Sequence, residues 1–415
     1  MEHVQFAVGT MVLLFVAGFW FVRARDLVLS WYRDPDLRPD KEAFLPENPP
    51  LISVIVPAHN EEAGIAECLE SVLNQDYPSF ELICVDDRSV DRTAGIARAV
   101  LANRQNCQLI SVKELPPGWT GKCYALDAAV KHTSGEWLAF LDADSRLERC
   151  ALRQCYGEAL RRKINMVTLS PRFVLETFWE KALQPAFSAM SCILFPPSKI
   201  NDPASDIASA NGMFYLISRR AYDAIGGHHD VKGLAVEDIG IGKRVKAAGL
   251  GLLFANGRKV LSTRMYTNLS DIISGWTRIL SASMNYHLAL VLKYLGVHIL
   301  MSVPVLLLAL HWYIPTATRL LPHTWFLLPL TCIVLMSTIP SVYCRQLGVS
   351  SRHAMLLTIG QFMLIWVFSI ITKKIVCNEA LQWRGTTYST SRYQPTTLNP
   401  VHTAFYSTNT PPQLD

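Results

Sequence analysis

The chain has 415 residues, of which 50% are hydrophobic and 18% are charged, and its mean hydropathy is positive at +0.20. This composition is too apolar for an ordinary soluble enzyme and indicates membrane segments. The net charge of +5 is modest and its basic residues lie beside apolar stretches, which argues against a nucleic-acid partner. The ten cysteines form no Cys-x-x-Cys pair, which argues against a disulfide framework or a zinc site.

An apolar stretch from Val4 to Val22 carries no charge over 19 residues. As a helix it is long enough to span about 30 Å of hydrocarbon. It lacks a basic segment before it and a clear cleavage site after it, so an uncleaved anchor is expected at residues 1–22. A basic, proline-rich linker follows at 23–50, and its arginines predict that the next domain faces the cytosol.

Apolar strands alternate with helical segments from Leu51 to about Ser170. The strands are predicted to begin near residues 51, 80, 108, 136 and 165. This alternation predicts an α/β fold with a mostly parallel sheet and helices on both faces. Ligands of such sheets bind beyond the carboxyl ends of the strands, so the residues just after each strand are the candidates for function.

Two carboxylates, Asp142 and Asp144, follow the strand that begins near residue 136. Strand side chains alternate between faces, so we expect both carboxylates to project the same way. Hard oxygen ligands at this edge suit Mg²⁺ or Mn²⁺ carrying a diphosphate. The alternative is that the two acids only cap the helix predicted after them.

Lys122 follows the Gly/Pro loop PPGWTG at 116–121 and opens a predicted helix at 123–131. An ammonium beside a helix N-terminus suits a diphosphate, because the helix dipole and the charge act together. The alternative is an ordinary solvated lysine.

Three motifs in this order resemble the family 2 glycosyltransferases: PAHNEE at 57–62, VDDRSVDRT at 85–93 and LDAD at 141–144. PPGWTGKCYAL at 116–126 and WRGTTY at 383–388 are similar to the membrane-bound branch of that family associated with hopanoid and carotenoid glycosylation. The resemblance implies a GT-A catalytic domain, Rossmann-like and mostly parallel, over residues 51–268. It also implies a nucleotide-sugar donor, expected to be a UDP-sugar.

The resemblance implies a nucleotide-binding role for residues after the first two strands. Asp86 lies at the position of the family's uracil-binding aspartate. Glu62, with the backbone around Pro57 and Ala58, would hold the ribose side of the donor. The alternative is that both acids are turn or capping carboxylates.

The resemblance also implies a catalytic base. Glu237-Asp238 matches the family's Glu-Asp motif, whose aspartate takes the proton from the acceptor hydroxyl, and Glu237 would support it. The alternative is an acidic pair that complements a helix dipole.

Residues 269–287 predict an amphipathic helix lying in the membrane interface, with Trp276 at the headgroup level. Processive members of the family carry Gln-x-x-Arg-Trp in this region, whereas this chain has GWTRI at 275–279, so only Arg278 matches. This departure disfavours polymer synthesis. It leaves Arg278, or the upstream Arg264, as a diphosphate contact.

Three further apolar stretches, at 288–311, 324–343 and 354–372, predict about three membrane segments over 288–372. If all of them and the anchor cross, Lys373 and Lys374 end outside, against the positive-inside rule. One C-terminal segment is then re-entrant or interfacial, and the sequence leaves open which. A juxtamembrane segment and a disordered tail are expected over 373–415.

These features together predict an integral-membrane, Mn²⁺- or Mg²⁺-dependent inverting glycosyltransferase that moves one sugar to a lipid acceptor. Its catalytic domain would face the cytosol, at a bacterial inner membrane or at an ER or Golgi membrane in a eukaryote. Two alternatives remain. One is a processive polysaccharide synthase. The other is a transporter or inactive scaffold, which the absence of acidic residues from the C-terminal spans disfavours.

Overall fold

The computed structural model describes residues 10–19, 21, 22, 25, 35–39, 43, 45–313, 327, 329–334, 344, 349–383 and 386–388. The chain forms two compact units. The first, called the catalytic unit below, comprises Asp34–Phe173 and Phe195–Met265. The second, called the helical unit, comprises Met1–Arg33, Val174–Leu194 and Tyr266–Arg392. The predicted catalytic range of 51–268 is therefore interrupted, because residues 174–194 cluster with the helical unit.

The catalytic unit is built on a seven-stranded sheet in the part of the chain that is described. Its strands are β1 (Ile52–Ala58), β2 (Phe80–Asp87), β3 (Cys107–Val112), β4 (Trp137–Leu141), β6 (Met166–Ser170), β8 (Phe214–Ser218) and β9 (Leu252–Asn256). Their order is β3-β2-β1-β4-β8-β6-β9. β1 pairs in parallel with both β2 and β4, whereas β8 runs antiparallel to both β4 and β6. The mostly parallel α/β sheet predicted from the strand periodicity is confirmed.

Helices cover both faces of this sheet. They are α2 (Ile65–Leu73), α3 (Thr93–Leu101), α4 (Gly121–Val130), α5 (Ala151–Arg162), α7 (Pro197–Ile200), α8 (Arg219–Ala224) and α9 (Glu237–Ala247), with a 3-10 helix at Gly227–Val231. Apolar side chains of α2, α3 and α5 form the core on one face, and those of α4, α8 and α9 form the core on the other. Strand residues alternate between the two cores: Ala139 and Leu141 face the first, and Leu138 and Phe140 face the second.

The sheet opens at the carboxyl end of β1. β1 and β4 pair only from Ile52 to Ile55, and Pro57 lies beyond the last pair. A proline there sacrifices no β1–β4 hydrogen bond, because that ladder has already ended. Strand order reverses direction between β1 and β4, which is where ligands of doubly wound sheets bind.

A small second sheet lies beside this opening. Its strands are β5 (Ser145–Leu147), β7 (Arg172–Phe173) and β10 (Leu261–Thr263), in the order β5-β10-β7. Part of the predicted linker is also built into the catalytic unit. The backbone N–H of Leu37 donates to Asn256 O (3.0 Å), that of Asn256 donates to Pro35 O (2.9 Å), and Leu37 is buried. Residues 35–37 therefore cover the β9 edge.

The helical unit contains α1 (Thr10–Phe19), α6 (Phe178–Leu194), α10 (Leu269–Ser283), α11 (Leu288–Tyr313) and α12 (Leu357–Val376), a 3-10 helix at Ser351–Leu356, and the short strands β11 (Leu381–Trp383) and β12 (Thr386–Tyr388). A reciprocal cap starts α6. Thr177 Oγ1 accepts from the Glu180 N–H (3.3 Å), and Glu180 Oε2 accepts from the Thr177 N–H (2.5 Å).

The apolar face of α10 packs inside the protein. Trp276 is 4% exposed, its indole N–H donates to Gln184 Oε1 (2.8 Å), and its ring meets Phe187 edge to face at 5.6 Å. The prediction that Trp276 sits at the headgroup level is therefore wrong. The residue pattern of α10 is amphipathic as expected, but its apolar partner is α6.

Two stretches, Leu288–Ala309 in α11 and Thr358–Val376 in α12, are long and apolar enough to cross a membrane by length and composition. The two helices pack together through stacked Tyr294 and Phe368 rings and a hydrogen bond between His298 Nδ1 and Gln361 Oε1 (3.0 Å). α1 is a shorter apolar helix within the predicted anchor. Most of the predicted segment at 324–343 and of the tail lies outside the described residues.

Candidate active site

Asp142 and Asp144 lie in a turn, not in a strand. β4 ends at Leu141, and the Ser145 N–H donates to Asp142 O (3.0 Å) to close the turn. Thr263 Oγ1 on β10 donates to Asp144 Oδ1 (3.2 Å), as does Ser145 Oγ (3.2 Å). The strand alternation invoked from the sequence is therefore wrong as the reason for their proximity. The turn and the β5–β10 pairing bring the carboxylates together.

The electrostatics of the two acids suit a divalent cation. Burial, and then the like charge of Asp144, raise the pKa of Asp142 to about 6 even though Lys122 opposes the shift. Two hard carboxylate oxygens that repel each other are an appropriate partial ligand set for Mg²⁺ or Mn²⁺, which usually takes its other ligands from phosphates and water. Among the described residues, no cluster of three or more His, Cys, Asp or Glu side chains has metal-binding geometry. Asp142 and Asp144 are the residues that would hold such a cation.

Lys122 joins these acids to a second acidic pair. It lies in the first turn of α4, whose N-cap is Thr120, and the Thr120 N–H is held by Lys232 O (2.8 Å). Its Nζ lies 2.7 Å from Asp142 Oδ1 and 2.6 Å from Glu237 Oε1. Burial opposes the charge, but the surrounding carboxylates outweigh it and raise the pKa of Lys122 well above its ordinary value. The ammonium is therefore charged and central.

Glu237 and Asp238 form the first turn of α9, where the helix dipole favours carboxylates. Asp238 Oδ2 accepts from the Gly212 N–H (2.6 Å), and Oδ1 accepts from the Ile239 N–H (2.8 Å). Burial, and then the neighbouring charge of Glu237, raise the pKa of Asp238 to about 7. For Glu237, burial is outweighed by the Lys122 ammonium, so its pKa is lowered. A carboxylate with a pKa near neutrality has the basicity that a general base requires.

The residues assigned to the nucleotide lie at the ends of β1 and β2. Ala58 is paired with Asp86 in the parallel ladder. Asp86 is 7% exposed, and its Oδ1 accepts no hydrogen bond from the described residues. Glu62 is bonded to the loop after β2, where its Oε2 accepts from the Arg92 N–H (3.2 Å) and Nε (3.1 Å). An unpaired buried acceptor such as Asp86 Oδ1 is costly unless a ligand satisfies it.

The two candidate arginines belong to different units. Arg264 lies in the catalytic unit, and its backbone N–H donates to Asp144 O (3.2 Å). Arg278 lies on α10 in the helical unit. The Arg264 backbone is thus bonded to the turn that carries the acidic pair.

Some features of the site were not predicted from the sequence. Thr263 orients Asp144 from β10, a three-residue strand too short for a periodic signal. The ion pair between Lys122 and Glu237 was also not predicted, because it joins residues that are far apart in the chain. The sequence had predicted Lys122 only as a diphosphate contact. A glycine inside a predicted helix could have indicated that another backbone segment packs closely against that helix. Gly242 in α9 abuts the backbone at Ser209 and Ala210, where an added Cβ would lie 2.7 Å from each.

Residues 53–226 match the sequence model of the family described as "Glycosyl transferase family 2". The matched range runs from β1 to α8, so this part of the catalytic unit is similar to a family 2 glycosyltransferase domain. The 4,4'-diaponeurosporenoate glycosyltransferase of Staphylococcus aureus (strain USA300) is 26% identical over 238 residues, which are 56% of this chain and 62% of that protein. The match thus spans less than two thirds of the relative's length.

Two glycosyltransferase complexes are among the solved structures to which the chain is similar. A mannosyltransferase from Pyrobaculum calidifontis in complex with GDP-Man and Mn²⁺ has a TM-score of 0.47 at 19% identity, covering 90% of this chain and 97% of that one. Glucosyl-3-phosphoglycerate synthase from Mycobacterium tuberculosis, with Mn²⁺, UDP and glucosyl-3-phosphoglycerate, has a TM-score of 0.39 at 22% identity, covering 56% and 78% respectively.

Proposed function

We propose that the chain is a membrane-bound glycosyltransferase that moves one sugar from a UDP-sugar to a lipid acceptor with inversion, assisted by a divalent cation. One observation carries the proposal. Lys122 Nζ lies 2.7 Å from Asp142 and 2.6 Å from Glu237, so the acids suited to a metal-bound diphosphate share one cluster with the candidate base motif. A glycosyltransferase needs the groups that bind the leaving diphosphate and the base that takes the acceptor proton to lie around the same anomeric carbon.

The donor assignment rests on the residues after β1 and β2. The buried, unpaired Oδ1 of Asp86 is suited to accept a hydrogen bond from a nucleobase N–H, such as that of uracil. Its ladder neighbour Ala58 offers backbone groups and no bulk at the same edge. Lys122, at the N-terminus of α4, is suited to the diphosphate.

The proposed reaction is a direct displacement. Asp238 accepts the proton of the acceptor hydroxyl as that oxygen bonds to the anomeric carbon, and the bond from this carbon to the diphosphate breaks. Attack from the side opposite the leaving group inverts the anomeric centre. A divalent cation held by Asp142 and Asp144 would neutralise charge that develops on the departing diphosphate. Glu237 keeps Lys122 beside this charge.

A lipid acceptor is supported by the helical unit. Leu292, Ile299 and Leu306 are each about half exposed at seven-residue spacing along α11, so they form one apolar stripe. Such a stripe on a helix long enough to cross a bilayer favours contact with lipid. Similarity to a relative named for 4,4'-diaponeurosporenoate is consistent with an apolar acceptor. The basic residues after the predicted anchor favour a cytosolic catalytic unit.

Transfer of a single sugar is inferred from the residues at 275–279, which keep only Arg278 of the processive motif. A processive synthase is the competing proposal, and product length separates the two.

The test uses purified full-length chain in liposomes made from a bacterial polar lipid extract. Radiolabelled UDP-glucose, UDP-N-acetylglucosamine and GDP-mannose are supplied in turn with Mn²⁺. We expect label in the organic phase from one UDP-sugar, and at least about 100-fold less of it with Asp238→Asn. Preference for GDP-mannose would overturn the uridine assignment, and a water-soluble polymer would favour the synthase.

A further inference from the structure

A short turn at residues 211–213 touches both halves of the candidate active site. The Gly212 N–H donates to Asp238 Oδ2 (2.6 Å), and Met213 O accepts from the Asp142 N–H (3.2 Å). The proposed base and the first residue of the acidic turn are therefore tied to adjacent residues of one turn. A shift of this turn would change the distance between the base and the donor.

Gly212 is packed closely against the charged groups of the candidate site. A Cβ at this position would lie 3.0 Å from Asp238 Oδ2 and 3.1 Å from Lys122 Nζ. The turn backbone is thus packed directly against the two charged groups. A side chain at this position would therefore require the Asp238 carboxylate or the Lys122 ammonium to move.

Thr168, a fully buried residue of β6, is hydrogen-bonded to the turn. Its Oγ1 accepts from the Asn211 N–H (2.8 Å) and donates to Phe214 O (3.0 Å). The hydroxyl thus bonds to the first residue of the turn and to the residue immediately after it. Among the described residues, Thr168 Oγ1 forms hydrogen bonds with Asn211 and Phe214 and with neither acidic pair.

Gly242 sets the position of the base from the other side. It lies one helical turn after Asp238 in α9, and its missing Cβ lets the helix press on the backbone of Ser209 and Ala210. A glycine inside a helix costs about 1 kcal/mol relative to alanine. The close approach to the segment leading into the turn explains why a glycine occupies this position despite that cost.

We propose that Thr168 is a positioning residue which, through the turn at 211–213 and together with Gly242, sets the place of the Asp238 carboxylate relative to Asp142. The inference rests on the proposed role of Asp238 as base, and it assigns the turn the task of fixing the base opposite the leaving group. A displacement of about 1 Å at a reacting group can cost roughly 100-fold in rate. A buried hydroxyl remote from the substrate can therefore control turnover.

The experiment compares Thr168→Val, which keeps the shape, with Thr168→Ser, which keeps the hydroxyl, in the full-length chain. We expect Thr168→Val to lower kcat by about 10-fold or more, with affinity for UDP and Mn²⁺ changed less than about 2-fold by calorimetry. Thr168→Ser should recover most of the loss. Gly242→Ala should reproduce the Thr168→Val pattern from the α9 side.

The matched control is Thr133→Val. Thr133 Oγ1 also makes two hydrogen bonds, to Val130 O (2.6 Å) and from Arg219 (2.7 Å), but it precedes β4 at the opposite edge of the sheet. It should leave kcat unchanged.

A second readout separates positioning from mere stability. The hydrogen bond from the Gly212 N–H lowers the pKa of Asp238, so losing this bond in Thr168→Val should raise that pKa. An infrared titration measures it as the midpoint of the carboxyl band, and the band that is missing in Asp238→Asn belongs to Asp238. An unchanged midpoint and kcat in Thr168→Val, or a parallel loss of UDP affinity, would overturn the proposal. If the wild type transfers no sugar, the proposed function fails, and the infrared titration still decides the positioning role.

Discussion

Replacing Lys122 by methionine should destabilise the catalytic unit, and the loss should depend on pH. The substitution keeps an apolar stem and removes the ammonium that lies within 2.7 Å of both Asp142 and Glu237. Four carboxyl groups, the two acids of the turn and the two of α9, then lack their central cation. Like charges left unpaired in a buried site oppose folding.

The size of the effect follows from the burial of the partners. Breaking a buried ion pair by removing one partner costs about 3–5 kcal/mol. The Lys122 side chain is 34% exposed, although Glu237 is only 7% exposed, so water screens part of the charge. Because of this screening, we expect a loss of about 2–3 kcal/mol in the free energy of unfolding, at or just below the lower limit of that range. For a unit of this size the melting temperature should fall by roughly 5–10 °C.

The sign of the pH dependence is set by Asp142. Its folded pKa of about 6 lies above its ordinary value of 3.8, so the folded state binds a proton more readily than the unfolded chain. That stabilisation is complete below 3.8 and disappears as the pH rises through 6. In the wild type, Lys122 limits this loss of stability. The variant Lys122→Met should therefore lower the free energy of unfolding more at pH 8 than at pH 5.

The measurement is the melting temperature of purified full-length variants in detergent at both pH values, with EDTA or Mn²⁺. Mn²⁺ should raise the melting temperature of Lys122→Met more than that of the wild type, because the cation replaces the missing charge. The control is Lys131→Met, at the end of α4, whose Nζ pairs with Asp127 at the surface (2.8 Å). Such pairs contribute about 0–1 kcal/mol. A Lys122→Met variant that melts like Lys131→Met at pH 8 would refute the reasoning.

EDTA should abolish transfer and Mn²⁺ should restore it in the wild type but not in Asp144→Ala; full activity of that variant in EDTA would remove the metal role. The kcat of the wild type should fall as the pH drops below about 7, because Asp238 must be deprotonated, and Asp238→Asn should lose about 100-fold or more while still binding UDP. Collapse of UDP binding would move Asp238 to the donor site. Trp276→Ala should cost about 3–5 kcal/mol and lower the melting temperature, because the indole is a core residue. An unchanged melting temperature with weaker liposome binding would restore its interfacial role.

The strands of the sheet could be predicted because their signal is local. β1, β2 and β4 are apolar runs separated by helical periodicity, so the parallel sheet follows from the sequence, and the polar residues after each strand mark its candidate functional edge. The antiparallel insertion of β8 between β4 and β6 is different. It depends on pairing between distant segments, which no local pattern encodes.

The contacts within the site were harder to predict for the same reason. Asp142 and Asp238 were identified from motifs, but the Lys122 bridge between their neighbourhoods depends on how α4 and α9 meet the sheet. The error at Trp276 has another cause. An amphipathic pattern reports that one helix face seeks an apolar environment, and that environment can be a bilayer or another helix such as α6.

The most direct test of the account compares lipid extracts from cells that express the full-length chain with extracts from cells that express Asp238→Asn. High-resolution mass spectrometry would measure both. The account predicts lipid species, found only with the wild type, that exceed a parent lipid by the mass of one hexose or one N-acetylhexosamine. Identical lipid profiles, or a ladder of many sugars released into the aqueous phase, would contradict it.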